Sequence, residues 1–163
     1  MMLFLALFLN FSSFAIIPDG NYTIEKIECE KGKQGLKLGG KFMSYDIKLK
    51  VKADEMWMTV SAKTNDWASF ILNCTQTNYG TFKYTKANEY YGELRLTDAK
   101  CNADAWSGYL RKKAYGTQAL GYAEYKYADN KLVVKNLDTE MLFSCDKDED
   151  GVPIYYYKRD AKQ

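Results

Sequence analysis

The acidic segment DKDEDG, residues 146 to 151, has the residue types and the spacing with which a calcium-binding loop begins. Such a loop places oxygen ligands at positions 1, 3 and 5, a glycine at position 6 and a bidentate glutamate at position 12. Asp146, Asp148, Asp150 and Gly151 meet the first four requirements, but Tyr157 stands at position 12. Asp-Gly is also a strong turn-forming pair. We therefore predict an acidic turn with no metal site, and keep weak calcium binding by the three aspartates as the alternative.

The sequence lacks the residues that most enzyme active sites require. It contains no histidine, which removes the usual general base, the Ser-His and Cys-His nucleophile pairs and the commonest metal ligand. The dinucleotide, phosphate-loop and nucleophile-elbow motifs are absent as well. Two carboxylates could still hydrolyse a glycoside, but no pair of acidic residues stands out. We predict that the protein is not an enzyme and carries no cofactor, and keep a minor catalytic role as a third hypothesis.

Aromatic side chains are the residues best suited to hold a small apolar ligand, because ligand pockets are mostly apolar with a few polar anchors. We predict that four of them line such a pocket: Trp57, Trp67, Phe70 and Trp106. The alternative is that they fill the core of a β-rich domain. Consecutive tyrosines at 90–91 and 155–157 lie on both faces of their strands, so some face solvent and could bind a sugar or a protein.

The first fifteen residues, MMLFLALFLNFSSFA, have the features of a secretory signal peptide. Residues 3–9 are continuously apolar, and Ser13 and Ala15 occupy the −3 and −1 places of a cleavage site between small residues. The apolar run is too short for a transmembrane helix, which needs about 20 residues. The alternative is a buried N-terminal strand or helix. We predict a signal peptide over residues 1–15, one domain over residues 16–163, and a secreted or periplasmic protein without a membrane span.

Four cysteines lie in the predicted domain: Cys29, Cys74, Cys101 and Cys145. An even number of cysteines in an exported chain predicts two disulfides, for which three pairings are possible. No two of them are spaced as C-x-x-C, so a zinc knuckle or a thioredoxin-type redox site has no support. We expect the cysteines to be structural and not catalytic.

Alternation of apolar and polar residues predicts β-strands through most of the domain. In residues 42–52, Tyr45, Ile47, Leu49 and Val51 alternate with charged residues, which is typical of a sheet with one face on a core and one in water. The chain is also rich in tyrosine and phenylalanine, which favour strands. Residues 98–106 look like a loop or a helical turn. The predicted strands are residues 21–29, 42–52, 55–62, 67–74, 81–86, 90–97, 107–113, 120–127, 131–135, 140–145 and 153–159.

Short turn-like intervals separate these strands, which favours antiparallel neighbours. A meander of this kind exposes two edges unless it closes on itself. We therefore predict an all-β fold, a single antiparallel up-and-down β-barrel of about 8–10 strands, with a β-sandwich as the alternative. In a closed meander the first and last strands are neighbours, which favours the disulfides Cys29–Cys145 and Cys74–Cys101. We expect a monomer, and the net charge of +2 argues against a nucleic-acid-binding surface.

Two segments resemble the lipocalins, a family of the calycins. PDGNYTIEKI, residues 18–27, is similar to the lipocalin opening, in which a Gly-x-Trp pair starts the first strand; here the pair is Gly20 and Tyr22. IYYYKR, residues 154–159, is similar to the closing strand of bacterial lipocalin-like domains, in which a basic residue covers the aromatic ring of the barrel floor. The resemblance implies a calycin barrel with Arg159 or Lys158 packed over Tyr22.

Together these features predict a secreted or periplasmic, non-catalytic protein that binds a small apolar or amphipathic ligand in a lipocalin-like barrel. The alternative is a protein–protein interaction module, such as an inhibitor or an envelope factor, whose filled barrel binds its partner through the outer face or the loops. The volume of the barrel interior distinguishes the two hypotheses, because only the first requires an open apolar cavity.

Overall fold

Eight antiparallel strands form the regular structure in the part of the chain that the computed structural model describes, which is residues 16–31, 43–64, 73–102, 118–137, 145 and 151–161. The strands are β1 (Gly20–Cys29), β2 (Met43–Lys52), β3 (Glu55–Thr64), β4 (Asn73–Lys86), β5 (Glu89–Cys101), β6 (Gln118–Ala128), β7 (Lys131–Asn136) and β8 (Pro153–Arg159). Each strand pairs with the next one along the chain, and β8 pairs with β1. The predicted up-and-down barrel is therefore confirmed, and the β-sandwich alternative is excluded.

The core lies inside the barrel because the inward residues of each strand are apolar. In β2, Ile47, Leu49 and Val51 are almost completely buried, while Lys48 and Lys50 between them are exposed. The same alternation in β3 buries Met56 and Met58 and turns the residue between them outward. Closure of the sheet pairs the backbone edges of β1 and β8 and leaves the inward side chains of all eight strands to form one core.

Strands β4 and β5 are longer than the sequence predicts. Residues 75–80 were expected to separate two strands, but a single strand runs from Asn73 to Lys86. The backbone of residues 75–80 pairs with β3 on one side and β5 on the other, and Asn78 and Gly80 face the interior. The expected loop at 98–101 is also wrong, since β5 continues to Cys101. A register shift at Thr77/Asn78 lets β5 continue past one extra residue and keep its apolar side inward.

The two ends of the barrel are built differently. At one end, called here the hairpin end, two-residue turns join β2 to β3, β4 to β5 and β6 to β7. These turns contain the described non-glycine residues with positive φ, as tight hairpin turns require: Ala53, Asn88, Asp129 and Asn130. The opposite end, called here the loop end, is where the longer connections begin and finish, at residues 30–42, 65–72, 102–117 and 137–152.

Two disulfides lie at the loop end. Cys29, the last residue of β1, is bonded to Cys145, and the two residues are separated by 116 positions in the chain; we call this the long-range disulfide. Cys74 and Cys101 face each other on the paired strands β4 and β5 and form the hairpin disulfide. Both predicted pairings are confirmed. They fix the strand ends from which the longer connections emerge.

A floor closes the hairpin end, and its residues are those that carry the resemblance to lipocalins. Tyr22 is fully buried and donates its hydroxyl proton to the Pro18 carbonyl at 2.6 Å. Arg159 is the direct strand partner of Tyr22, and its guanidinium donates to the Asp19 carbonyl and to the hydroxyl of Tyr127. Arg159, and not the exposed Lys158, is therefore the basic residue of the floor. The architecture is that of a closed up-and-down β-barrel with a sealed floor at its hairpin end.

Several predictions fall on residues outside the described part of the chain. No helix within the described residues is long and apolar enough to cross a membrane. The signal peptide stays a prediction, as do the strands expected at 107–113 and 140–144 and the proposed roles of the following residues: Trp67, Phe70, Trp106, Asp146, Asp148 and Asp150.

Candidate functional site: an apolar cavity inside the barrel

An apolar cavity of about 60 Å³ lies inside the barrel. Its walls come from strands on every side of the barrel except β1, because inward residues of β2 to β8 all reach it. Methionine contributes two flexible side chains from β3, and leucine, isoleucine and valine contribute rigid ones. The apolar lining residues are Ile47, Leu49, Met56, Met58, Phe82, Leu94, Ala123 and Val134.

Two glycines leave a notch in the wall of this cavity. Gly92 on β5 and Gly121 on β6 are direct partners across the strand pair, and both line the cavity. A methyl group built on Gly92 would meet the Phe82 Cβ at 3.4 Å and the Tyr90 ring at 3.7 Å, which are ordinary contacts. The local packing therefore does not require glycine at position 92. Glycine inside a strand lowers stability, and it often marks a place where another group approaches the backbone closely.

Gly80, on the neighbouring strand β4, has a different role. A methyl group built there would lie 1.6 Å from the Glu93 carbonyl oxygen. The backbones of β4 and β5 approach each other too closely for any side chain at this position. Gly80 is thus required by the fold, whereas Gly92 keeps a space open.

Three tyrosines are among the residues that line the cavity. Tyr90, Tyr155 and Tyr157 are all buried and line it. Burial raises the pKa of Tyr155 to about 12, and burial followed by the neighbouring tyrosines raises the pKa of Tyr90 and Tyr157 above the ordinary value of 10. The phenols are therefore neutral at physiological pH, and each can donate a hydrogen bond.

Carboxamide groups supply further polarity inside the barrel. Asn136 is 2% exposed and lines the cavity. On β4, the Gln76 amide donates to the Asn78 side-chain oxygen at 3.0 Å, and the Asn78 amide donates to the Met58 carbonyl at 3.4 Å. Buried amides are costly unless they are hydrogen-bonded, so they are retained where a specific polar contact is needed. The interior thus combines apolar walls with a few neutral polar groups, which is the composition of a small-molecule site.

The size of the cavity limits what it can accept. A water molecule needs about 10–15 Å³ of such volume, so the cavity has room for about four waters or a short length of alkyl chain. It is less than half the size of the apolar cavity of about 150 Å³ that admits benzene. A flat ring system would therefore require the lining side chains to move.

The structure does not place Trp57 in the cavity. Its neighbours Met56 and Met58 face inward, so the strand period of two turns the Trp57 ring to the outer surface. Trp57 does not line this cavity, and a part for it in ligand binding stays a prediction. The polar and glycine residues of the cavity were not predicted from the sequence, although the inward alternation of β5 and β8 was a usable signal for Tyr90, Tyr155 and Tyr157.

No metal-binding group is formed by the described residues. Within residues 16–31, 43–64, 73–102, 118–137, 145 and 151–161, no three His, Cys, Asp or Glu side chains come together in a way that could hold a metal ion. The ion pairs found there lie on the surface, such as Lys26 with Glu28 and Lys135 with Glu30.

The barrel and its cavity define the class of protein, a closed eight-stranded antiparallel β-barrel with an apolar interior cavity. No protein-family model matches the sequence, and no curated protein matches it. Among solved structures, the chain is similar to a point mutant of the fluorescent protein UnaG, with 14% sequence identity and a TM-score of 0.33. This similarity covers 88% of the present chain and 96% of the other. It carries no inference about what the present chain binds.

Proposed function

We propose that the protein is a non-catalytic binding protein that holds a small apolar or amphipathic ligand inside its barrel. The apolar cavity, with its glycine notch and its neutral hydroxyl and amide groups, is the observation that carries this proposal. The floor around Tyr22 and Arg159 seals the hairpin end. The ligand therefore reaches the cavity from the loop end, and a polar head group of an amphipathic ligand remains near that end.

The ligand that best fits the cavity is slender. Each buried methylene contributes about 0.8 kcal/mol, which is about a fourfold gain in affinity. The existing volume accepts only a short alkyl segment, so tight binding requires the cavity to widen. Met56 and Met58 are suited to this because an unbranched thioether side chain repacks easily. We therefore assign the ligand to the class of single alkyl chains with a polar head.

Titration calorimetry with linear alkyl carboxylates of increasing length tests the proposal. The expected result is an affinity that rises by about fourfold per methylene and then reaches a plateau. Gly92→Val fills the notch and should abolish the binding of the longer chains. Tyr91→Val, a change of the adjacent outward residue, is the matched control and should leave the affinity unchanged. Failure of every chain length to bind would refute a slender apolar ligand.

Export to an oxidising compartment is part of the proposal. Two disulfides are typical of proteins from such compartments. Ile17 is buried in the floor and donates its amide proton to the Tyr84 hydroxyl at 2.9 Å, while Ile16 is largely exposed. A chain cut after Ala15 would therefore begin with one solvent-exposed residue followed directly by the floor. A mass spectrum of the exported protein should give a chain that starts at Ile16, is four hydrogens lighter than the reduced form, and behaves as a monomer.

An interaction module is the second candidate. The small cavity favours it, as does an aromatic pair on the outer surface, Tyr91 and Tyr122, whose ring centroids lie 4.8 Å apart. Tyr122 is 51% exposed, so its ring is accessible to a partner. In this candidate the barrel is a rigid support and the alkyl titration gives no binding at any length, with or without Gly92→Val.

A further inference from the structure

Two carboxamide side chains of β4 lie inside the barrel, between the apolar cavity and the loop end. Asn78 is the direct strand partner of Met58, a residue of the cavity wall, and it is 7% exposed. Gln76 is the next inward residue of β4. It lies about 7 Å closer to the loop end, where β4 begins, because a strand rises about 3.3 Å per residue. We call Gln76 and Asn78 the amide pair.

Hydrogen bonds fix the orientation of the amide pair. The Asn78 side-chain amide donates to the Met58 carbonyl at 3.4 Å, which ties it to the wall of the cavity. The Gln76 amide donates to the Asn78 side-chain oxygen at 3.0 Å, and this is the one hydrogen bond of the Gln76 side chain within the part of the chain that the structure describes. The half-buried Gln76 carboxamide therefore keeps both a donor N–H and an acceptor oxygen for another molecule.

The described strands offer no cation to a ligand that enters from the loop end. Every lysine in the eight strands is exposed, apart from Lys135, which is half-buried and paired with Glu30. Arg95 is exposed and paired with Glu93. Arg159 lies in the floor at the opposite end of the barrel, where the Asp19 carbonyl and the Tyr127 hydroxyl accept its hydrogen bonds. A carboxylate drawn inward as far as the amide pair would be a buried charge without a partner, which is costly.

We propose that the amide pair selects the head group of the interior ligand, and that this head group is uncharged and both donates and accepts hydrogen bonds, as a primary amide does. The proposal rests on the proposed function, since it concerns the same ligand. A primary amide and the Gln76 carboxamide can exchange hydrogen bonds in both directions, whereas a carboxylate can only accept. An alkyl carboxylate therefore keeps its charged head in water at the loop end and contacts the cavity with its chain alone.

Titration calorimetry with octanamide and octanoate, two ligands of equal chain length, tests the proposal on the disulfide-bonded protein. Octanamide should bind about tenfold or more tightly than octanoate, because it adds hydrogen bonds to the amide pair without burying a charge. Gln76→Leu should remove most of this preference by weakening octanamide and leaving octanoate nearly unchanged. Thr77→Val, which changes the adjacent outward residue of the same strand, is the matched control and should keep the preference.

Gln76→Arg should reverse the preference. It introduces a cation at the position of the head group, so octanoate should become the tighter ligand. The ratio of the two affinities is measured on a single variant, so a general loss of binding-competent protein does not alter it. If near-ultraviolet circular dichroism shows that Gln76→Arg is not folded, the comparison of Gln76→Leu with Thr77→Val decides the question.

The failure of this proposal and the failure of the proposed function give different results. Absence of binding by both ligands would refute the interior ligand and its head-group site together. Binding of both ligands with equal affinity, or tighter binding of octanoate, would leave the alkyl-binding cavity in place and refute head-group selection by the amide pair. Loss of the preference in Thr77→Val to the same extent as in Gln76→Leu would also refute the role of Gln76.

Discussion

Replacing glycine by alanine should change the free energy of unfolding in opposite directions at Gly92 and Gly80, which lie on the adjacent strands β5 and β4. Glycine to alanine in a strand restricts the unfolded chain and adds a packing group, so it stabilises by about 0.5–1 kcal/mol where the space is open. The methyl group at position 92 has ordinary contacts of 3.4 Å and more. Gly92→Ala should therefore raise the free energy of unfolding by about 0.5–1 kcal/mol.

Gly80→Ala should do the reverse. Its methyl group would lie 1.6 Å from the Glu93 carbonyl oxygen and 3.0 Å from the Leu94 Cα, both of which are backbone atoms. Strands β4 and β5 would have to separate at the centre of their pairing, at a cost at the upper end of the about 1–3 kcal/mol that overpacking usually takes.

Urea unfolding followed by tyrosine and tryptophan fluorescence measures both variants on the same scale. Thermal unfolding gives an independent check, since about 1 kcal/mol corresponds to about 2–4 °C in Tm for a domain of this size. Gly92→Ala should also reduce the affinity for the longest alkyl chain by about fourfold, because it takes the place of about one methylene. A Gly92→Ala variant that is destabilised as strongly as Gly80→Ala would show that the notch is not open space.

The remaining predictions concern the disulfides, the buried phenols and the floor. Replacing both cysteines of the long-range disulfide by serine should lower the free energy of unfolding by about 4.8 kcal/mol, and the same change in the hairpin disulfide should lower it by about 3.6 kcal/mol. The difference arises because the longer loop restricts the unfolded chain more. Urea unfolding of the two variants checks the order. The pKa of Tyr155 is raised to about 12 in the folded protein, from about 10 when unfolded. The free energy of unfolding is therefore unaffected by this phenol below pH 10, and it falls by up to about 2–3 kcal/mol as the pH rises from 10 towards 12. In urea titrations over this pH range, the Tyr155→Phe variant should lose less stability than the unchanged protein. Arg159→Met should destabilise by about 2–3 kcal/mol through the lost hydrogen bonds of the floor, whereas Lys158→Met should change stability by less than about 0.5 kcal/mol; equal effects would refute the special role of Arg159.

Alternation of residue type predicts most of the fold because one face of every strand is buried. The bounds of β1, β2, β3, β6, β7 and β8 follow from the sequence to within two residues. Strand β4 does not, because Thr75, Gln76 and Thr77 are polar in succession and Gly80 resembles a turn residue. The register shift that carries β5 past residue 97 depends on its pairing with β4, which is a contact between distant residues and leaves no local pattern.

The candidate site is less predictable than the fold. A glycine that the backbone requires and a glycine that preserves a cavity look the same in a sequence, and only the neighbouring atoms distinguish Gly80 from Gly92. Trp57 was grouped with the pocket residues by its chemical type. Its position between Met56 and Met58 predicts that it faces outward, since a strand period of two places neighbouring residues on opposite faces. Periodicity was thus a better guide to location than residue type.

The arrangement of the two disulfides has a consequence for the order of assembly. Every strand pair except β1–β8 joins consecutive strands and can form from a local hairpin, whereas the β1–β8 pair must close a loop over almost the whole domain. The Cys74–Cys101 bond can form as soon as β4 and β5 meet. The Cys29–Cys145 bond joins the end of β1 to the residues ahead of β8, so it can form only when the ring closes. During oxidative refolding, the species with one bond should therefore contain Cys74–Cys101, and the appearance of the second bond records the moment at which the barrel becomes complete.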